Sequence, residues 1–217
     1  YCWIIIGVEL PGYGLYGSLE EVGYWEYMNT LITLDLSNNH LTGYLSSTFG
    51  YSTAIQNITL NNNQIVGFYP QESTSVIYEF SALKYINMNT NAVTGGIPTF
   101  LTSTTIDSIN FGNNQLTSIG LGLTSLPSLT YFNVADNSIT GTLPTALFTN
   151  TGLQLLIMNN NQFDGSIPSS VDLQNLNTLL LHDNSLEGQL PDLKSCVLLS
   201  SIQVYNNLLS GTGKLLI

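Results

Sequence analysis

The sequence has very few charged side chains, and positive charges are almost absent. Asp, Glu, Lys and Arg make up 8% of its 217 residues, and three lysines with no arginine stand against fourteen carboxylates. The formal net charge of −11 at pH 7 repels nucleic-acid backbones and anionic lipid headgroups. We therefore expect no nucleic-acid partner.

Long apolar runs are also missing. No stretch approaches the ~18 consecutive apolar residues that a membrane-spanning helix needs, so we expect no membrane insertion in this segment. The sequence opens at Tyr1 without a methionine or a signal peptide, which we interpret as a processed chain or part of a longer one. Its wealth of uncharged Asn, Thr, Ser and Tyr favours an extracellular or cell-surface location.

What the sequence does contain is a repeat. Leu31–Leu45 reads LITLDLSNNHLTGYL, and the same template recurs at Leu153–Pro168 and Leu176–Pro191. The common form is L-x-x-L-x-L-x-x-N-x-L-x-G-x-L/I-P. Its fourth position recurs nine times at intervals of 23 to 28 residues, which predicts nine repeat units, or rungs. These positions are Val8, Leu34, Ile58, Ile86, Ile109, Phe132, Leu156, Leu179 and Ile202.

The asparagine of the template is equally regular, and only Tyr13 replaces it. The asparagines are Asn39, Asn63, Asn91, Asn114, Asn137, Asn161, Asn184 and Asn207. This pattern resembles the leucine-rich repeat family, in the G-x-I-P subtype of extracellular plant-type receptors. The resemblance implies a mostly β solenoid of the α/β class: a right-handed, curved array of about nine rungs with a parallel β-sheet on its concave side. It also implies that each asparagine amide satisfies backbone groups inside its turn.

Elementary strand geometry supports this interpretation. Successive side chains of a strand point to opposite faces, so the leucines of L-x-x-L-x-L face the core and the x positions face outward. One rung buries too little apolar surface to offset the entropy of ordering it, so stacking stabilises the rungs.

We expect one continuous domain. Residues 1–30 form a cap-like first repeat with an insertion, and residues 31–217 form repeats that continue to an uncapped C-terminal end.

Two insertions, Glu20–Thr30 and Gln71–Phe80, break the period. Both are acidic and contain aromatic residues. The simplest interpretation is that they are loops or short helices that cover the core on the convex side. The alternative is an acidic, aromatic contact patch, because long loops often carry function.

The outward strand positions are the candidates for ligand binding. The early rungs present amides, hydroxyls and tyrosines, whereas the later rungs bring three apolar side chains together. Exposed apolar clusters and aromatic residues often mark interfaces; the alternative is that these positions are simply tolerated in solvent. The candidates are Asp35, Tyr85, Asn87, Asn110, Tyr131, Asn133, Leu155, Ile157, Leu180, His182 and Tyr205.

Catalytic and metal-binding residue types are scarce. The only histidines, His40 and His182, lie six rungs apart, or about 29 Å at the ~4.8 Å spacing of neighbouring strands. His182 precedes Asp183, and we expect both side chains to be solvated. The G-x-G-x-x-G string at Gly12–Gly17 falls in the repeat frame with no helical period after it, which argues against a nucleotide-binding loop. We predict no enzymatic activity, no metal and no cofactor.

The two cysteines, Cys2 and Cys196, occupy the same template slot eight rungs apart. They are then about 38 Å apart and cannot pair within one chain, because a disulfide needs Cα atoms within ~7 Å. The simplest interpretation is a pair of half-buried thiols. Head-to-tail stacking would place Cys196 about one rung from Cys2 of the next chain, which predicts an intermolecular disulfide in that arrangement.

These observations favour recognition over catalysis. The resemblance implies a non-catalytic extracellular module that binds a protein, peptide or glycan through its concave face. The alternative is a structural subunit that stacks head to tail into an extracellular fibre or cell-surface layer, which the apolar C-terminal end favours. Ice binding by the Asn- and Thr-rich face is a minor alternative. The only N-x-S/T sequon begins at Asn57, which is the predicted glycosylation site.

Overall fold

The computed structural model describes residues 4–21, 27–46, 49, 52–68, 80–97, 104–120 and 126–211. Most of the two predicted insertions, at residues 22–26 and 71–79, lies outside the described residues, and so does Cys2.

A three-residue strand at the same point of every repeat builds the main sheet. Each strand centres on an apolar residue of the template, as Leu34 does in Thr33–Asp35. The sheet has nine parallel strands in chain order, and its seven interior strands pair on both sides, which gives about seven enclosed turns. The prediction of a mostly β, parallel-strand solenoid is confirmed. The strands are β1 Gly7–Glu9, β3 Thr33–Asp35, β5 Asn57–Thr59, β7 Tyr85–Asn87, β9 Ser108–Asn110, β11 Tyr131–Asn133, β13 Leu155–Ile157, β15 Thr178–Leu180 and β17 Ser201–Gln203.

Short strands also form on the return path of each repeat, between one strand of the main sheet and the next. They pair into one three-stranded and three two-stranded parallel sheets. One helical turn, α1 Thr145–Phe148, and a 3-10 turn at Leu19–Glu21 complete the described elements. The strands are β2 Tyr16–Ser18, β4 His40–Leu45, β6 Gln64–Phe68, β8 Thr94–Gly96, β10 Gln115–Ser118, β12 Thr140–Thr142, β14 Gln162–Asp164, β16 Glu187–Gly188 and β18 Leu208–Leu209.

The core is a continuous cluster of apolar side chains that runs along the array. In the seven interior strands the central residue is buried, from Leu34 in β3 to Leu179 in β15. On the two outer strands, Val8 and Ile202 are only partly buried, since each strand has a neighbour on one side. Stacking therefore supplies the burial that one repeat lacks, as expected for a repeat protein.

The asparagine of the template joins consecutive turns. The Oδ1 atom of Asn137 accepts a hydrogen bond from the backbone N–H of Leu116 at 2.8 Å. Its Nδ2 donates to the carbonyl oxygens of Phe111, Val134 and Ala135 at 3.0, 3.1 and 3.1 Å. Leu116 and Phe111 belong to the preceding repeat, so the amide ties that turn to its own. The other seven template asparagines accept and donate in the same way.

The residue before each template asparagine adopts left-handed backbone geometry, with φ between +50° and +57°. Asn and Asp tolerate this conformation better than most residues. Three pairs also bond between repeats: Asn62 to Asn38, Asn160 to Asp136 and Asn206 to Asp183, at 2.7, 2.6 and 2.7 Å. The eight residues are Asn38, Asn62, Thr90, Asn113, Asp136, Asn160, Asp183 and Asn206.

Candidate ligand-binding surface

The strand register of the main sheet aligns its outward side chains into two straight rows. The central residue of each interior strand faces the core, so its two flanking residues lie on the opposite face. We call this opposite face the sheet face. The first row is Gly7, Thr33, Asn57, Tyr85, Ser108, Tyr131, Leu155, Thr178 and Ser201. The second row is Glu9, Asp35, Thr59, Asn87, Asn110, Asn133, Ile157, Leu180 and Gln203.

All eleven predicted candidates lie on the sheet face or at its edge. Nine belong to the two rows, and His182 and Tyr205 lie two residues beyond the second row of their turns. We call this edge position the third row. It is less open than the sequence predicts, because Ser37, Ala135 and Asn159 at this position are buried. The chain leaves the strand here and enters the left-handed residue that follows, and burial at this position differs between turns, since Tyr205 is 53% exposed.

Four polar candidates of the second row also cap the end of their own strand. Asp35 accepts a hydrogen bond through Oδ1 from the backbone N–H two residues later, at 2.9 Å. Asn87, Asn110 and Asn133 do the same at 3.0, 3.1 and 2.9 Å. These hydrogen bonds therefore hold the four side chains in place. The sequence signal for this role is an Asn or Asp two residues before the bend, a known turn-forming arrangement.

The amide region of the sheet face also contains hydrogen bonds between side chains. Asn133 Nδ2 donates to the hydroxyl oxygen of Tyr131 at 3.2 Å. Asn87 Nδ2 donates to Asn61 Oδ1 at 3.3 Å. Tyr85, like Tyr131, is a half-buried first-row residue.

The three apolar candidates form one contiguous patch. Leu155 and Ile157 are two residues apart on the same face of β13, and Ile157 pairs in register with Leu180 of β15. All three side chains are half-buried. The structure therefore brings together the apolar cluster that the sequence predicts.

A stacked aromatic pair borders this patch. The rings of His182 and Tyr205 lie 4.5 Å apart with an interplanar angle of 12°. The His182 side chain is only 12% exposed, and its Nδ1 lies 2.6 Å from Asp183 Oδ2. The expectation of a solvated side chain is therefore wrong for His182, because Tyr205 covers the imidazole and Asp183 binds it, whereas the Asp183 side chain is 37% exposed. Hydrogen bonds from Asn206, and then from His182, hold the pKa of Asp183 below its ordinary value.

The sheet face is electrostatically one-sided. The described residues of its three rows include no Lys or Arg, and the carboxylates of Glu9 and Asp35 lie opposite each other on neighbouring strands. Lys84 lies one residue before the first row. The other described lysine, Lys194, pairs with Asp192 at 3.0 Å, away from the main sheet.

The two histidines lie in different parts of the fold. His40 lies in β4 of the three-stranded sheet, whereas His182 lies two residues beyond the end of β15 in the main sheet. Among the described residues, no group of three or more His, Cys, Asp or Glu side chains could hold a metal ion. None of the helices in this part of the chain has the length and apolar character to cross a membrane.

The two predicted modification sites lie in different environments. Asn57 is a half-buried first-row residue of the sheet face, and its Nδ2 lies 3.5 Å from Thr33 Oγ1. Cys196 is buried, with 4% of its surface exposed, and its burial raises the pKa of the thiol. Its predicted partner, Cys2, lies outside the described residues.

Comparison with known proteins agrees with this geometry. Three segments match the family model described as Leucine Rich Repeat: residues 30–52, 128–150 and 152–172. These segments are leucine-rich repeats. Their G-x-I-P subtype stays a prediction. A comparison with curated proteins gives no match.

Solved structures with a similar fold include plant receptors. The crystal structure of a TDR receptor has a TM-score of 0.84 and 26% identity, over 94% of this chain and 35% of that chain. The Arabidopsis receptor kinase HAESA, in complex with the peptide hormone IDA and the co-receptor SERK1, has a TM-score of 0.82 and 30% identity, over 92% of this chain and 33% of that chain. The chain thus spans about a third of the length of these two structures.

A plant ice-binding protein also has this fold. Its TM-score is 0.59 and its identity 20%, over 95% of this chain and 73% of that chain. At this identity the similarity shows the fold alone.

Proposed function

We propose that this chain is a non-catalytic, extracellular leucine-rich repeat module that binds a peptide, or a peptide segment of a protein, through the sheet face. In this proposal the array is of the G-x-I-P subtype, has nine rungs, is right-handed and carries the sheet face on its concave side. The observation that carries the proposal is the in-register alignment of outward side chains along the whole main sheet.

The shape of the sheet face supports an extended ligand. Eight strand spacings of ~4.8 Å make the rows about 38 Å long. A fully extended peptide of roughly eleven or twelve residues covers that length at ~3.3 Å per residue. A compact small molecule or a single sugar would contact only a fraction of it. HAESA is 30% identical to this chain, and its structure contains the peptide hormone IDA. That complex supports the same ligand class.

Selection from a random library of displayed twelve-residue peptides tests this proposal directly, with the folded chain as bait. We expect enrichment of peptides whose binding is weakened by Tyr131→Ser, because Tyr131 is a half-buried residue in the middle of the first row. The matched control is Tyr16→Ser, which removes an exposed tyrosine from the smaller sheet that contains β2. No enrichment, or equal losses in the two variants, would contradict the proposal.

An extracellular location would expose the sequon to glycosylation at Asn57. A glycan there would project from the sheet face and screen the first strands, leaving the part from Tyr131 to Tyr205 open to a ligand. Peptide mass spectrometry of native material should find Asn57 modified. An unmodified Asn57 in secreted material would remove this element of the proposal.

The alternatives have weaker support. Head-to-tail stacking with a Cys2–Cys196 link stays a prediction, and the burial of Cys196 argues against the covalent part. Ice binding also stays a prediction, since the similarity to a plant ice-binding protein shows the fold alone. Glycan binding has no support beyond the polar outward side chains of the early strands in the main sheet.

A further inference from the structure

The second row of the sheet face changes character after β11. In four of the strands before this point the row residue is an Asx side chain that caps the strand end: Asp35, Asn87, Asn110 and Asn133. In β13 and β15 the same register positions hold Ile157 and Leu180. The hydrocarbon side chains of these two residues cannot accept the hydrogen bond that an Asx oxygen accepts.

Stability alone does not explain this change. Asn or Asp at positions 157 and 180 would supply the cap that the earlier strands have, and either would suit an outward-facing position better than a branched apolar side chain. The structure thus gives up a local hydrogen bond twice and places a half-buried apolar side chain on the outward face both times. Departures of this kind from local rules are expected at functional sites.

The patch also has a defined boundary. Ile157 and Leu180 are in register neighbours, and Leu155 extends the apolar surface into the first row. On the third-row side, the His182–Tyr205 stack provides a wall whose outer ring, Tyr205, is 53% exposed. A side chain that settled on the patch would contact aliphatic groups from below and a tyrosine ring from the side. This surface suits a large aliphatic or aromatic residue.

Charge determines which peptide would bring such a residue. The described residues of the three rows contain no Lys or Arg, whereas Glu9 and Asp35 place two carboxylates opposite each other in the second row. Together with the net charge of −11, this favours a basic partner over an acidic one. Asp35 lies five strand spacings from Ile157. That distance is about 24 Å, or roughly seven residues of extended peptide.

We propose that Leu155, Ile157 and Leu180, walled by Tyr205, form the anchor subsite for a large apolar side chain of a basic, extended peptide. A Lys or Arg about seven positions away from the anchor residue pairs with the carboxylates of Glu9 and Asp35. This proposal rests on the proposed peptide-binding function. It specifies the class of peptide and the row of the sheet face along which the peptide lies.

The test uses the peptides enriched from the random twelve-residue library as its probes. We expect the selected sequences to share an aliphatic or aromatic residue and a Lys or Arg about seven positions from it. The double variant Ile157→Asn with Leu180→Asn restores the cap chemistry of the neighbouring strands, so it should fold as well as the parent. Its affinity for the selected peptides, measured by fluorescence anisotropy, should fall at least tenfold.

Two further variants test whether the effect is specific to the apolar patch and how much the charge of Asp35 contributes to binding. Leu208→Asn removes an apolar side chain that is 69% exposed on a smaller sheet, and should leave the affinity unchanged. Asp35→Asn removes one charge and keeps the cap, as Asn87 and Asn110 show. It should weaken binding several-fold at low salt and little at high salt, because salt screens exposed charges.

The outcomes are distinguishable. Failure to enrich any peptide overturns the proposed function and this inference with it. Enriched peptides that lack the apolar and basic pair, or that bind the Ile157→Asn and Leu180→Asn double variant as well as the parent, overturn the inference and leave peptide binding intact. A folded double variant with lost binding supports it, and circular dichroism confirms the fold.

Discussion

Asn137 donates a side-chain hydrogen bond to the carbonyl oxygen of Phe111, 3.0 Å away and one turn earlier in the solenoid. The same Nδ2 atom donates to Val134 of its own turn at 3.1 Å. One amide thus holds two consecutive turns at a fixed separation. Repetition of this contact along the array keeps the strands in register, and with them the rows of the sheet face.

Replacement of Asn137 by alanine should lower the free energy of unfolding by about 1–3 kcal/mol, because backbone groups inside the turn lose their partner. The neighbouring Ser138 is exposed, and Ser138→Ala should change stability by less than about 0.5 kcal/mol. Urea unfolding of the two variants measures the difference. Equal effects would contradict the structural role of the asparagine.

Gly43 and Gly141 separate two costs of adding a side chain to a glycine. Both have left-handed backbone geometry, with φ of +76° and +86°. A Cβ at Gly141 would meet nothing within 4 Å, whereas a Cβ at Gly43 would collide with the Ser18 hydroxyl. Gly141→Ala should cost about 1–2 kcal/mol through the backbone alone, and Gly43→Ala roughly 1–3 kcal/mol more through overpacking. Similar losses in thermal unfolding would show that the contact with Ser18 is unimportant.

Asp183 should make the stability of the protein depend on pH in the acid range. Its pKa is lowered in the folded state, first by the hydrogen bond from Asn206 and then by that from His182. Because the folded pKa lies below the unfolded value of about 3.9, the ionised carboxylate stabilises the fold at pH values above the unfolded pKa. This contribution is lost as pH falls through the folded pKa. The stability advantage of the parent over Asp183→Asn should therefore shrink between pH 6 and pH 2. A difference that stays constant over this range would rule out the linkage.

The Cys196 thiol should be protected in the native protein. It is 4% exposed, and burial raises its pKa, so the reactive thiolate is both covered and scarce at neutral pH. A Cys2→Ser variant isolates it. Labelling of that variant with an aromatic disulfide reagent should be slow in buffer and fast in denaturant. Rapid native labelling would show that the thiol is accessible, as an intermolecular disulfide requires.

The main sheet could be predicted from the sequence because the repeat gives each residue its neighbours. Once Leu34 and Ile58 occupy the same template position, stacking places them side by side, and their flanking residues follow from the alternation of a strand. The rows of the sheet face, including the apolar neighbours Ile157 and Leu180, are a direct consequence. The bonding role of the asparagines in each turn was expected from the family resemblance.

Other features depend on side-chain directions that a one-dimensional pattern does not contain. The capping bond of Asn133, the burial of Ser37 at the strand exit and the stacking of Tyr205 on His182 all occur where the chain bends out of the sheet. Strand alternation ends at that bend, so it no longer tells which side a residue faces. The period of the sequence determined which residues share a turn and a row. The tertiary structure decided which of them are held by the turn and which remain partly exposed, because that depends on side-chain contacts within the turn and with the next turn.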